Sequence, residues 1–189
     1  MPPIPTPNRL HIRLQPTHEE VFEPDYLPEA PLVRFDAYRK ADRLFGWVRL
    51  QADRLTDLLN DHEELLLTDV EIESLVDGRT RSVGEILIHC SELIAVHASG
   101  PRGDESLRQV TVPHPVALRS GDYLIGGFLH VPPDSDPMAS VDDRPTMLPL
   151  TDAWIEYRSG DVHTKQSSGT VIVNRARVDW MRVVSAEEL

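Results

Sequence analysis

The chain has 189 residues, 40% of them hydrophobic and 6% aromatic, with 31 acidic against 19 basic side chains and a net charge of −12. That length bounds one domain or two small ones, and the negative balance counts against nucleic acid as the main ligand, because phosphate neutralisation supplies most non-specific affinity for it. No stretch approaches the roughly 18 uncharged apolar residues of a membrane span, and the single cysteine, Cys90, excludes an intrachain disulfide and multi-cysteine zinc sites.

Residues 1–31 form a proline-rich arm with Pro2, Pro3, Pro5, Pro7, Pro16, Pro24, Pro28 and Pro31. Each ring fixes φ and removes an N–H donor, which argues against a helix or a central strand. Within it, Leu10-His11-Ile12-Arg13-Leu14 alternates and suits an edge strand; the rest is expected to be extended or disordered. No basic segment leads into an apolar core, so a secretory signal is not expected and the cytoplasm is the default location.

Strand signals begin at Val33 and Phe35 and continue in Leu44-Phe45-Gly46-Trp47-Val48-Arg49-Leu50, with a polar turn at Arg39-Lys40-Ala41-Asp42. Asp53 to Asn60 has helical spacing, with Asp53 as the expected N-cap and Asn60 as a stop. Leu66 to Val76 alternates as a third strand, Asp77-Gly78 marks a hairpin turn, and Gly84–Ile88 and Leu93–Val96 are short strands. Residues 34–54 are mainly basic and 57–77 acidic, a pattern that adjacent strands satisfy by pairing opposite charges.

After a linker at 99–107 the order recurs. Gly46-Trp47-Val48-Arg49-Leu50 corresponds to Gly127-Phe128-Leu129-His130-Val131, and Leu67-Thr68-Asp69 to Leu150-Thr151-Asp152. Gly84-Glu85-Ile86-Leu87-Ile88 corresponds to Gly169-Thr170-Val171-Ile172-Val173, at offsets of 81, 83 and 85 residues. Asp77-Gly78 is matched with Ser159-Gly160. Three blocks in one order predict a tandem repeat, with units at 32–98 and 108–186. Units of about 70 residues are marginal when isolated, so they are expected to pack on each other or on a partner. Short, strongly bent antiparallel strands predict small barrels.

These blocks resemble the Sm-like small β-barrel. They share its Gly-bearing second strand, the Leu-Thr-Asp turn on the third, and the compact closing pair from Gly84 to Val96 and from Gly169 to Met181. The segments at 54–60 and 67–69 resemble an uncharacterised bacterial Sm-like group. The resemblance implies a mainly β fold of two tandem SH3/Sm-like barrels behind the arm. In RNA-binding Sm proteins an Asp and an Asn after the second strand grip a base, and an Arg-Gly or Lys-Gly pair after the fourth stacks on it. The corresponding positions here are Asp57 and Asn60, His89-Cys90, and Asn174-Arg175, so the RNA site is degenerate and RNA binding does not follow from the fold.

No Gly-rich phosphate loop, nucleophile elbow or paired-His zinc motif occurs, and the chain nominates no catalytic, cofactor-binding or metal-ligating residue. His18-Glu19-Glu20 and His62-Glu63-Glu64 look alike, but neighbours on a strand face opposite ways. Asp134, Asp136, Asp142 and Asp143 lie in a loop best read as solvated, lacking the fixed spacing and Gly turn of calcium loops. Trp154 replaces Glu71 on the expected solvent face, with Tyr157 nearby. With Trp180 they form the candidate interface, since exposed aromatics bury large areas at low entropic cost. Two functions are expected: a non-enzymatic interaction or assembly module that meets a protein partner or itself through sheet edges, or an RNA-binding Sm-like regulator.

Overall fold

The computed structural model describes residues 29–103, 106 and 109–189. The arm expected over 1–31, including its Leu10–Leu14 segment, lies outside the described residues except for its last three. The first half of the described chain runs β1 (Leu32–Tyr38), β2 (Asp42–Arg49), α1 (Leu55–Asp61), β3 (Glu64–Ser74), β4 (Thr80–His89) and β5 (Ala95–His97). The second half runs β6 (Val112–Ser120), β7 (Tyr123–Val131), α2 (Ala139–Asp142), β8 (Met147–Ser159), β9 (Val162–Asn174) and β10 (Trp180–Val183). A 3-10 turn separates the last two strands of each half, at Cys90–Glu92 and Arg175–Arg177.

The protein is mainly β. Among the described residues ten strands form one antiparallel sheet in the order β10-β6-β7-β8-β9-β5-β1-β2-β3-β4. The expectation of two separate barrels meets a single open sheet: β5 pairs with β1 on one side and with β9 on the other, and β4 and β10 end the ladder. The cores follow the same continuity. One is built on Phe35, Leu44, Leu58 and Leu67 but takes in Met147 and Ile172, while the other is built on Leu118, Ile125 and Ile155 but takes in Tyr38, Ile94 and Ala95.

The Leu-Thr-Asp turn is a β-bulge. In β3 the buried residues are Leu65 and Leu67 before it and Val70 and Ile72 after it; in β8 the alternating set is Leu148 and Leu150, then Ala153, Ile155 and Tyr157, with Met147 and Trp154 buried as well. One extra residue reverses which parity faces inward and bends the strand. Asp69 and Asp152 absorb the change with φ of 50° and 46°, the left-handed region that Asp tolerates better than most residues. The facing glycines complete the bend. A Cβ on Gly46 would lie 3.0 Å from the Thr68 carbonyl oxygen, and one on Gly127 would lie 3.0 Å from that of Thr151.

The helix differs from its expected start. Arg54, not Asp53, holds the N-cap position, and its side chain makes no capping bond. Leu55, Leu58 and Leu59 are all buried, so α1 is held by its apolar face. The opposite charges of 34–54 and 57–77 do meet: Arg43 and Glu73 are partners across β2 and β3, with Nη1 3.6 Å from Oε2.

Candidate functional site

The most elaborate polar geometry lies where the two halves join. Ala95, Val96 and His97 pair with Val173, Ile172 and Val171. The ladder is extended at its ends by the Asn174 N–H donating to the Ile94 carbonyl (2.9 Å) and the Ala98 N–H to that of Thr170 (3.0 Å). At the far end of the sheet the hairpin turns touch: the Gly160 N–H donates to the Leu75 carbonyl and the Ser159 hydroxyl to Glu73, each at 2.8 Å. The two turns matched by sequence therefore pack together.

Behind the ladder, Tyr38, Tyr123 and Tyr157 stack with ring centroids 5.3 to 5.9 Å apart. The Arg43 guanidinium lies 4.6 Å from the Tyr38 ring, donates to the Tyr157 hydroxyl, and pairs with Asp36 at 3.2 Å. Burial works against its charge, but the Tyr38, Asp36 and Tyr157 oxygens outweigh that and raise its pKa. Burial likewise raises the Tyr38 phenol. His97 Nε2 shares a 2.9 Å hydrogen bond with the Tyr38 hydroxyl, and burial holds the imidazole below its ordinary pKa, Asp36 opposing and Arg43 and Arg34 adding to the shift. Arg43 on β2 and Tyr157 on β8 thus join the two halves through this cluster, with Arg43 Nε buried and unpartnered among the described residues.

Three of the degenerate RNA-site positions, Asp57, Asn60 and Asn174, are engaged within the chain. Asp57 accepts a bidentate pair from Arg54 at 2.7 and 2.8 Å. Asn60 donates to the Met147 carbonyl at 3.1 Å and accepts from its N–H at 2.9 Å. Asn174 is buried, donates to the Leu93 carbonyl at 2.9 Å, and caps the following turn by accepting from the Ala176 N–H. His89 is exposed with Nδ1 3.2 Å from Glu64, and Arg175 is half-buried beside Asn174. Asn60 and Asn174 thus both bind the halves to one another, a role that spacing alone does not disclose.

Of the candidate interface residues, Trp154 and Tyr157 are not the exposed pair expected: they are 9% and 4% exposed. Trp154 lies over Gly126, whose Cβ would come within 2.6 Å of the indole, and Lys165 Nζ sits 3.9 Å from the ring. A missing side chain one strand away turns the solvent face inward at that point. Trp180 alone is exposed, at 42%. Cys90 is buried in the first core and burial pushes its thiol up to about 11, suppressing the nucleophilic thiolate. Among the described residues no three His, Cys, Asp or Glu side chains are placed to hold a metal ion, and Asp136 of the acidic loop caps α2 by accepting from the Met138 and Ala139 N–H groups. No described helix is long and apolar enough to cross a membrane.

The two sheet edges correspond to the strands that meet at the joint. Val96 opposes Ala37 on β1 as Met181 opposes Leu118 on β6, so β10 takes the place of β5. By the Gly84–Gly169 match, β4 takes the place of β9. Ile172, at the joint, is 0% exposed while Leu87 in the matching position is 60% exposed; Ala95 is 1% exposed against 42% for Trp180. Both edges carry mixed charge: Arg119, Arg177 and Arg182 lie about β10 with Asp179 and Glu188, and Glu63, Glu64 and Glu85 about β4 with Arg81, Arg182 being paired with Glu188 at 3.0 Å. No family model, curated protein or solved structure matches the chain.

Proposed function

We propose that the protein is a non-enzymatic assembly module, a tandem repeat of two Sm-like barrel units that associates with further copies of itself through its sheet edges. The observation that carries this reading is the correspondence between the internal joint and the open edges. β5 and β9 meet edge to edge inside the chain, and their counterparts β10 and β4 carry exposed Trp180 and Leu87 where the joint buries Ala95 and Ile172. Unpaired edge strands with apolar side chains template further pairing. Applying the same joint between chains sets Trp180, Met181 and Arg182 opposite Ile88, Leu87 and Ile86. Because the two edges differ, the contact is head to tail, and it closes into a ring or continues as a filament according to its rotation.

An RNA-binding regulator finds less support, since Asp57, Asn60 and Asn174 are engaged within the chain. Light scattering and native mass measurement test the assembly reading. The expected mass is a multiple of 21.3 kDa, reduced to that of a single chain by Leu87→Lys or by Met181→Pro, which removes an edge donor. A wild-type chain that stays monomeric across the micromolar range and retains no copy of itself in a pull-down would overturn it.

A further inference from the structure

A cleft of about 570 Å³ opens between the halves at the Ala98–Thr170 end of the β5–β9 ladder, with residues 54–56 and 98–102 on one side and β7, β8 and β9 on the other. Its volume falls in the range of small-molecule sites. Arg54, Arg102, Arg144 and Asp152 are the charged residues lining it, together with His130. In a chain with net charge −12, this concentration of positive charge runs against the general field of the molecule.

Arg54, His130 and Arg144 are held in place. Arg54 is fixed by its bidentate pair with Asp57, and Gly103 packs so closely that a Cβ there would lie 2.9 Å from Arg54 Cδ. His130 is held from both ring nitrogens, by Thr111 at 3.2 Å and Thr151 at 2.8 Å. Arg144 is half-buried and donates to the His130 carbonyl; burial lowers its pKa, and among the described residues no carboxylate lies within ion-pair distance of it. A desolvated guanidinium bonded only to a neutral carbonyl retains donors and an uncompensated charge.

We propose that this cleft binds a phosphate-bearing small molecule. Three guanidinium groups from three separate chain segments line one space; Asp57 takes Nε and Nη2 of Arg54, so the charge that an anion would compensate lies chiefly on Arg102 and Arg144, whose planar forks suit several acceptor oxygens. The Thr151 and Thr170 side chains offer hydroxyls, and Leu55 and Pro149 give the organic remainder an apolar wall. A ligand held from both halves stabilises the fold in proportion to its occupancy.

Titration calorimetry of the full chain at low ionic strength, with inorganic phosphate and glucose 6-phosphate as probes and sodium chloride as the matched control, tests the site. Saturable binding of either probe is expected, with a higher melting midpoint. Tighter binding of the sugar phosphate assigns the site to phosphate esters, and equal binding to the free ion. Arg144→Gln and, independently, the more exposed Arg54→Gln are expected to weaken binding at least tenfold, whereas Arg158→Gln, exposed and outside the cleft, leaves it unchanged. Absence of saturable binding by both probes, or wild-type affinity in a folded Arg54→Gln protein, would overturn the proposal.

Discussion

The side-chain amide of Asn60 occupies both hydrogen-bonding groups of the Met147 backbone, donating to its carbonyl at 3.1 Å and accepting from its N–H at 2.9 Å. One residue of α1 thereby serves as a strand partner for the first residue of β8. Removing it strands two backbone groups in a partly buried setting. Asn60→Ala is expected to lower the stability by about 1–3 kcal/mol, read from the urea midpoint at unchanged denaturant slope. A midpoint equal to the wild type would show that water satisfies Met147 as well as the amide does.

The contact of Trp154 with Gly126 makes a second pair testable. Gly126→Ala places a methyl group 2.6 Å from the indole, and the ring must leave its site. A loss of about 1–3 kcal/mol is expected from overpacking, with a changed tryptophan emission. Trp154→Leu is costly alone, but combined with Gly126→Ala it should cost less than the sum of the two, because the clash is then absent. Strict additivity in the double-mutant cycle would refute the contact.

Asp69 and Asp152 have left-handed backbones at equivalent bulges. Replacing Asp152 by Gly or Asn should be tolerated, whereas Asp152→Val is expected to lose about 1–2 kcal/mol from the strained φ alone. Thermal denaturation of the three variants gives the ranking, and equal midpoints for Val and Gly would contradict it.

His97 ties stability to pH. Burial places its folded pKa below the unfolded one, which lies near ~6.5. Between the two values the unfolded chain binds more protons, so stability declines as pH falls through that window and is insensitive to this group above it. His97→Gln keeps a polar partner for Tyr38 but does not titrate. Its stability should fall less steeply than the wild type's below pH ~6.5, and parallel curves would exclude His97 as the source.

The mainly β class, the strand-turn-strand order and the bent third strand were legible because each is written locally: alternation, Asp77-Gly78, and the Leu-Thr-Asp sequence that reappears at 150–152. The fate of Trp154 was not, because it depends on the absence of a side chain at Gly126, on the adjacent strand and 28 residues away. Asn60 was singled out for its place in a motif, yet its partner lies 87 residues on. The continuous sheet was also hidden: the alternation of β5 and β9 is the same whether their edges face water or one another. Local pattern records which face of a strand is apolar and is silent about its edge.

The sharing of core residues has a consequence for how the molecule can be taken apart. Met147 and Ile172 complete the first core, and Tyr38, Ile94 and Ala95 the second, so neither half possesses a full interior of its own. The described residues between β5 and β6 add to that dependence through the Ala98 N–H bonded to the Thr170 carbonyl, but the aromatic cluster and the amide clamps lie outside that segment. Cutting the backbone there should leave two fragments that remain bound and melt together, while either fragment produced alone should fail to fold. The covalent link then serves chiefly to keep the two pieces at high local concentration while they assemble.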